Sequence, residues 1–309
     1  MLFPQKNGGD EMAILNLGPN LYNWKPEIWR DFYFQIADEA PIDKVFLGEV
    51  ICSKRAPLFD PYFEEVKTRL ENAGKEIILS TLAEITSNID RRLLTKQVTN
   101  KEFIIEANDV AALLNLNGKP HSIGSYMNVY NEDALEFFAK NGATNITLPP
   151  EIPKSGIIEL NKIAKDLNVD LEVQIYGRIG LALSARCYHA RAHELTKDSC
   201  KFICDEDPDG MDLTTLEGQE FLIINGIQTQ SFTCLNLANE ISELQNIGIN
   251  NFRISPQSKG TFEAIKIFRK LLDKKIDASE AVAELEIKKI NAPFSNGFYY
   301  GLKGYEWQV

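Results

Sequence analysis

Residues 44–80, KVFLGEVICSKRAPLFDPYFEEVKTRLENAGKEIILS, read as one complete β-α-β unit. The run KVFLGE at 44–49 is short, apolar and bounded by glycine and charge, as a buried strand is. Residues 62–72 carry apolar side chains at helical spacing, and Gly74 stands where a helix commonly ends. EIILS at 76–80 is the next strand. Working outward, strands are expected at 12–17, 103–107, 121–125, 145–148, 170–176 and 251–254. Helices are expected at 27–38, 88–98, 132–140, 155–167, 235–245 and 261–272. Strands alternating with helices at this rhythm imply parallel β-α units with right-handed crossovers. Eight of them fit a (β/α)8 TIM-barrel-like fold. An open Rossmann-like sheet is the other candidate, but no strand runs into a G-x-G-x-x-G turn.

The rhythm breaks once. After residue 176 the stretch 177–210 carries three cysteines and two histidines, and 212–216 with 221–225 reads as a hairpin. We therefore expect a single domain over 1–309 with a cysteine-bearing insertion after strand 7, at 177–226. A loop that long within a compact barrel is more often functional than decorative. The aromatic, glycine-rich tail from 291 to 309 is expected to dock against the barrel.

Composition narrows the function. A chain of 309 residues buries roughly 75% of its unfolded surface, so it needs no disulfide staples. The charge balance is 33 basic to 44 acidic residues, or −11, with a pI near 5.0. That argues against a protein whose main contact is a nucleic-acid backbone, which demands basic side chains, though it leaves room for a local basic pocket. The opening MLFPQKNGGDEM has neither a basic n-region nor an apolar run, and no window approaches about 18 apolar residues. The expectation is a cytoplasmic protein without a transmembrane segment. In that compartment thiols stay reduced and serve as metal ligands, nucleophiles or core filler.

Five cysteines are present. Cys187, Cys200 and Cys204 lie in the insertion, spaced C-x12-C-x3-C, and Cys52 follows the strand KVFLGE. Loops after barrel strands open onto one face, so four thiols can meet at the barrel mouth. Their flanks, ICSKR, SARCYHAR and KDSCKFICDED, are polar, which favours ligands over packing. Spacing alone leaves a tetrahedral zinc site and an iron–sulfur cubane both open, the C-x3-C pair matching the cubane better. The radical SAM pattern C-x3-C-x2-C is absent, because Asp207 stands at its third position. Cys234, in the apolar stretch FTCLNLANEI read as helix, is expected to fill the core.

The stretches LGEVICSKR, LSTLAEIT, IEANDV, LALSARCYHARAHELTKDSC, NGIQT and RISPQ resemble the collagenase-like peptidase family of unassigned catalytic type. Within it they are similar to the members that serve anaerobic ubiquinone biosynthesis. The likeness runs from about Asn16 to the tail GLKGYEW. It implies a [4Fe–4S] cluster on Cys52, Cys187, Cys200 and Cys204, with Cys234 outside the set. It also implies a heterodimer with a homologous UbiU-like subunit, acting on a ubiquinone precursor with prephenate as oxygen donor. Two rivals stand beside this reading: an RNA hydroxylase of the same family, and a non-catalytic iron–sulfur or zinc scaffold. The negative balance weighs against the first.

Other motifs carry less. His189 and His193 share a helix face, but Ala190 replaces the glutamate that H-E-x-x-H requires. Neither a G-x-S-x-G elbow nor a phosphate-binding G-x-x-x-x-G-K-[ST] loop appears. The expectation is thus a subunit of an O2-independent hydroxylase and not a working peptidase. Arg55 and Arg186, close to Cys52 and Cys187, are expected at the site, where cations offset thiolate charge and can fork onto a dicarboxylate. Glu49 and Glu106 close their strands toward the same face, to touch substrate or hold those arginines.

Overall fold

The computed structural model describes residues 13–288 and 292–309. Residue 12, expected to open the first strand, and residue 291, expected to open the tail, lie outside them. Eight parallel strands alternate with helices. They run β1 (Ile14–Leu17), α1 (Pro26–Glu39), β2 (Lys44–Leu47), α2 (Ala56–Asn72), β3 (Glu76–Ser80), α3 (Asn88–Val98), β4 (Ile104–Ala107) and α4 (Val110–Leu116). Then follow β5 (His121–Ile123), α5 (Glu132–Lys140), β6 (Ala143–Thr147), α6 (Lys154–Asp166) and β7 (Asp170–Leu183). After a one-turn α7 (Tyr188–Ala192) come three strands, β8 (Met211–Thr214), β9 (Glu220–Asn225) and β10 (Gln228–Asn236). The chain ends with α8 (Ile241–Ile247), β11 (Asn251–Ile254), α9 (Thr261–Leu272), α10 (Ala278–Lys288) and β12 (Phe294–Ser295).

Strand order is β11-β1-β2-β3-β4-β5-β6-β7, and β11 pairs with β7 to close the ring. This is the TIM-barrel-like α/β fold. Local chemistry explains the element ends. Ser87 caps α3 and exchanges bonds with Asp90 in a capping box, and Asn131 caps α5 by accepting from the Ala134 N–H, each satisfying an otherwise orphaned donor. The helix α2 starts six residues before its expected first residue. Pro57 lies in its first turn, where the missing N–H would be unpaired anyway, whereas Pro61 lies inside the helix and forfeits one intrahelical bond.

Two differences from expectation share a cause. β7 continues to Leu183, past the expected end at 176, because its outer half pairs antiparallel with β10. β10 in turn occupies residues expected to begin a helix, and Cys234 lies on it rather than on a helix. The strand pairs with β7, β9 and β12 at its edges, and only two of its nine residues are incompletely buried. The strand QTQSFTCLN is buried along nearly its whole length although most of its residues are polar, so it shows neither the apolar–polar alternation of a half-exposed strand nor the apolar run of a buried one. β9 and β8 extend the antiparallel sheet outward, as the expected hairpin. The tail packs through β12 against β10, and Phe294 meets Trp307.

Side chains facing the helices are apolar and make one large core, but the upper barrel lumen is polar. Glu172 of β7 accepts from Asn16 (2.5 Å) and Thr147 (2.6 Å), and Glu106 of β4 accepts from Ser80 (2.6 Å). Arg253 of β11 sits between the two carboxylates, with Nη2 2.6 Å from Glu172 and 2.8 Å from Glu106. Its guanidinium also stacks on the ring of Phe46, 3.9 Å from the centroid.

Candidate metal centre at the barrel mouth

Cys52 is presented by a turn that a carboxylate organises. Gly48 leaves β2 at φ +130°, so close to β3 that a Cβ would lie 2.3 Å from the Ser80 carbonyl oxygen. Glu49 then accepts from the N–H groups of Ile51 and Cys52, both at 2.8 Å. Burial raises the Glu49 carboxyl's pKa, and the charge of Arg55 and the two N–H bonds only partly offset this. Cys187 lies beyond the end of β7 and is N-cap of α7, its sulfur accepting from the Ala190 N–H at 3.4 Å. Cys200 and Cys204 flank Lys201 and Phe202, both left-handed at φ +49° and +59°. Two successive non-glycine residues there cost of order 1 kcal/mol each, a strain that turns the two thiols toward one space.

That space is a single cavity. It is lined by all four cysteines together with Arg55, Lys54, Lys197 and the apolar Phe202, Ile203 and Ile227. Each sulfur of the insertion has an N–H donor: Cys187 from Ala190, Cys200 from Lys54 (3.7 Å) and Cys204 from Asn23 (3.4 Å). Lys54 is held in place by the carbonyls of Lys197 and Asp198. Burial raises the thiol pKa of Cys52 and Cys187, so thiolates here depend on compensating positive charge. A tetrahedral zinc ion with four sulfurs at 2.3 Å needs them about 3.8 Å apart. Among the described residues the group of three ligating side chains whose donor atoms fall within 4.8 Å of one another is His189, His193 and Asp207, not the thiols. The donor set fits an iron–sulfur cluster: soft ligands, N–H donors to sulfur, nearby cations and a partly apolar wall.

Arg55 is the charged centre of this wall. It is 1% exposed. Burial would favour losing its proton, but Cys204, Glu49 and Cys52 hold it firmly charged. It donates to the Leu21 carbonyl (2.9 Å) and to Asn225 Oδ1 (3.1 Å). Gly226, at φ +62°, follows Asn225 in the two-residue turn joining β9 to β10, and a Cβ there would meet Arg55 Nη2 at 2.7 Å.

A second cavity of about 200 Å³ opens at the C-terminal ends of the barrel strands, lined among others by Gly18, Tyr126, Gln174, Arg178 and Arg253. In this fold that end carries the chemistry. A continuous hydrogen-bonded chain joins the two cavities. Arg55 donates to Asn225, Asn225 to Gln228 (3.2 Å), and Gln228 to the Tyr126 hydroxyl (2.6 Å). A small apolar layer of Leu21, Val50, Ile51 and Ile227 fills the space beside it.

The four candidate thiols and Arg55 thus come together, whereas Arg186 does not join them. Its side chain is exposed and does not line the cavity; its N–H bonds the Ser184 hydroxyl as the chain turns away. Glu49 shapes the Cys52 turn, and Glu106 holds Arg253, not Arg55 or Arg186. Sequence reasoning missed Asn23, Asn225, Tyr126, Arg178 and Arg253. Only Arg253 left a signal, as a charge in the middle of the buried strand NFRI. Arg178 donates to the carbonyls of Ser231 and Phe232 where the β7–β10 register shifts, and such an irregularity has no sequence signature.

Cys234 stands apart. It is fully buried in the core, and burial pushes its thiol up to about 12. Since the thiolate is the nucleophile, it should resist iodoacetamide at pH 8 in the folded protein and react only on unfolding. Peptide mass spectrometry checks this, and rapid native alkylation of Cys234 would refute it.

Among the described residues no helix is long and apolar enough to cross a membrane. The model of peptidase family U32 matches residues 32–309. Solved structures with a similar chain course include a DAHP synthase from Thermotoga maritima, at 9% identity and TM-score 0.42, covering 91% of this chain and 72% of that one. An uncharacterized B. cereus protein is 12% identical with TM-score 0.41, covering 79% and 61%. A putative galactarate dehydratase from Agrobacterium radiobacter is 13% identical with TM-score 0.37, covering 53% and 45%. This chain therefore spans less than two thirds of the last two, and likenesses this distant carry nothing about activity.

Proposed function

Because the chain belongs to peptidase family U32, we propose that it is an iron–sulfur protein of the UbiV type, working in O2-independent hydroxylation of a ubiquinone precursor. The observation that carries the reading is one cavity lined by Cys52, Cys187, Cys200, Cys204 and the buried Arg55. A [4Fe–4S] cluster bound there would supply one-electron transfer. The chain's own part is to hold four thiolates beside fixed positive charge. Arg55 offsets their charge from within the wall, Lys54 from its rim, and the N–H groups of Ala190 and Asn23 fix two sulfurs. The chain from Arg55 to Tyr126 ties this wall to the barrel-mouth cavity, where Arg178 lines the wall as a guanidinium suited to a carboxylate such as prephenate's. A homologous UbiU-like subunit would complete the complex. Peptide hydrolysis is not part of the reading, since the sequence carries neither an H-E-x-x-H nor a G-x-S-x-G motif. A zinc scaffold is the second reading, and the iron, sulfide and zinc content decides between the two.

The test is anaerobic purification with iron, labile sulfide and visible absorbance measured per chain. We expect about four of each, as for a cubane. Alanine at Cys52, Cys187, Cys200 or Cys204 should abolish most of the iron, and Cys234→Ala should retain it. A colourless protein with stoichiometric zinc would sink the cluster. So would iron lost from Cys234→Ala but kept in Cys200→Ala sink this ligand set. Unchanged anaerobic ubiquinone after deletion of the gene would remove the pathway assignment.

A further inference from the structure

Beside the thiol cavity lies a second group of ligating side chains that the reading above does not use. The single turn of α7 places His189 and His193 one above the other, their rings stacked with centroids 5.6 Å apart and planes 15° from parallel. Asp207 approaches from the loop beyond Cys204, its Oδ2 2.9 Å from His189 Nε2. Donor atoms of the three residues all lie within 4.8 Å of one another.

We propose that His189, His193 and Asp207 form a binding site for a divalent first-row transition ion, distinct from the thiol site. The state of His189 carries the argument. Its side chain is 0% exposed, yet neither ring nitrogen has a hydrogen-bond partner of acceptable geometry, the short approach of Asp207 included. Leaving buried polar atoms unsatisfied costs about 1–3 kcal/mol each, and native interiors rarely accept it. An ion held jointly by imidazole and carboxylate would satisfy one ring nitrogen and explain the close approach of Asp207. Two imidazoles and one carboxylate suit zinc or iron(II), and suit calcium or magnesium poorly, since those prefer oxygen alone. Three protein ligands are also the number that leaves a coordination position open. His193 is exposed and Asp207 half-buried, which gives the ion an entry path.

The placement gives the site a role. His189 comes two residues after Cys187, and Asp207 three residues after Cys204. An ion bound between them would clip the two ends of the cysteine-bearing segment to each other, independently of what the thiols hold.

Cobalt(II) distinguishes the two sites, because thiolate ligation gives an intense charge-transfer band that nitrogen and oxygen ligands do not. The full chain, purified anaerobically with its iron determined, is titrated with cobalt(II) chloride. We expect one cobalt per chain showing ligand-field absorption without the thiolate band. In His193→Ala and Asp207→Ala its affinity should fall at least about 100-fold, with iron content as in the parent. Both positions are solvent-accessible, so these variants should fold even if His189→Ala does not. Cobalt uptake confined to the thiolate band, or equal in parent and both variants, overturns the site. Iron lost together with cobalt also overturns it as a separate site. Absence of iron from the parent would count against the cluster alone, since the comparison of cobalt spectra between parent and variants still stands.

Discussion

Replacing Arg253 with methionine is expected to cost about 3–5 kcal/mol of folding stability at neutral pH, the scale seen when one partner of a buried ion pair is removed. Methionine roughly conserves the volume, so the loss reports charge rather than a cavity. Glu106 and Glu172 are 1% and 0% exposed and share this one guanidinium. Without it, two carboxylates face each other inside the barrel with only hydroxyl and amide donors. The pH dependence identifies the cause. Burial pulls Glu172 upward, but Arg253 and the bonds from Thr147 and Asn16 hold it below its ordinary value of 4.5. A depressed folded value means that the stabilisation is fully present above about 4.5 and is lost as pH falls through the folded value. In the variant the carboxylates would instead be raised, so its deficit should shrink in acid as they take up protons. Urea unfolding at pH 7 and pH 5 measures both. A cost under about 1 kcal/mol, or a deficit that grows in acid, would refute the account.

Arg55→Met should do comparable damage and also strip the thiol cavity of its buried cation. The parent guanidinium joins the Leu21 carbonyl to Asn225, and it faces Cys204, Glu49 and Cys52. Its removal should cost about 3–5 kcal/mol, leaving Asn225 without its donor and the thiols without their nearest buried charge. Arg55→Lys separates the two contributions. Lysine keeps the charge but lacks the planar fork that reaches both acceptors, so it should retain more bound iron than Arg55→Met while recovering only part of the stability. Iron per chain and urea midpoints give the two readouts. If Arg55→Met holds iron like the parent and unfolds within about 0.5 kcal/mol of it, the change behaves like an ordinary surface substitution, and the role assigned to Arg55 is wrong.

How legible the molecule was depended on whether each element has two unlike faces. β3, α3, α5, β11 and α9 have the residue bounds expected from pattern alone: the strands as short apolar runs with polar residues at their ends, the helices by their apolar period, with side-chain caps at α3 and α5. β10 does not: its buried residues are largely polar, and its last residues read as the start of a helix. The short α4 and the late α10 were not expected, and α7 is too brief for a period to show. Convergence of the four thiols was legible because it needs only topology: every loop after a barrel strand opens on the same face. Side-chain direction needs more. Arg55 and Arg186 look alike in sequence, both near a cysteine, yet one is buried under Gly226 and the other points to solvent. The decisive contacts of Arg55 come from Leu21 and Asn225, remote positions that nothing local announces.

The doubled use of β7 has a consequence for the order of assembly. Its first half closes the ring against β11, and its second half is the base on which β10, β9 and β8 are laid. Cys52 and Cys204 lie half the chain apart in sequence, so their meeting requires this long-range wall to exist already. Contacts between distant segments form slowly, because loop closure precedes any reward from them. The thiol cavity is therefore expected to form late, which hydrogen-exchange labelling during refolding would show as late protection of the Cys52 and Cys204 segments. On that expectation, whatever fills it would act on a barrel already closed, as a late clasp rather than a nucleus.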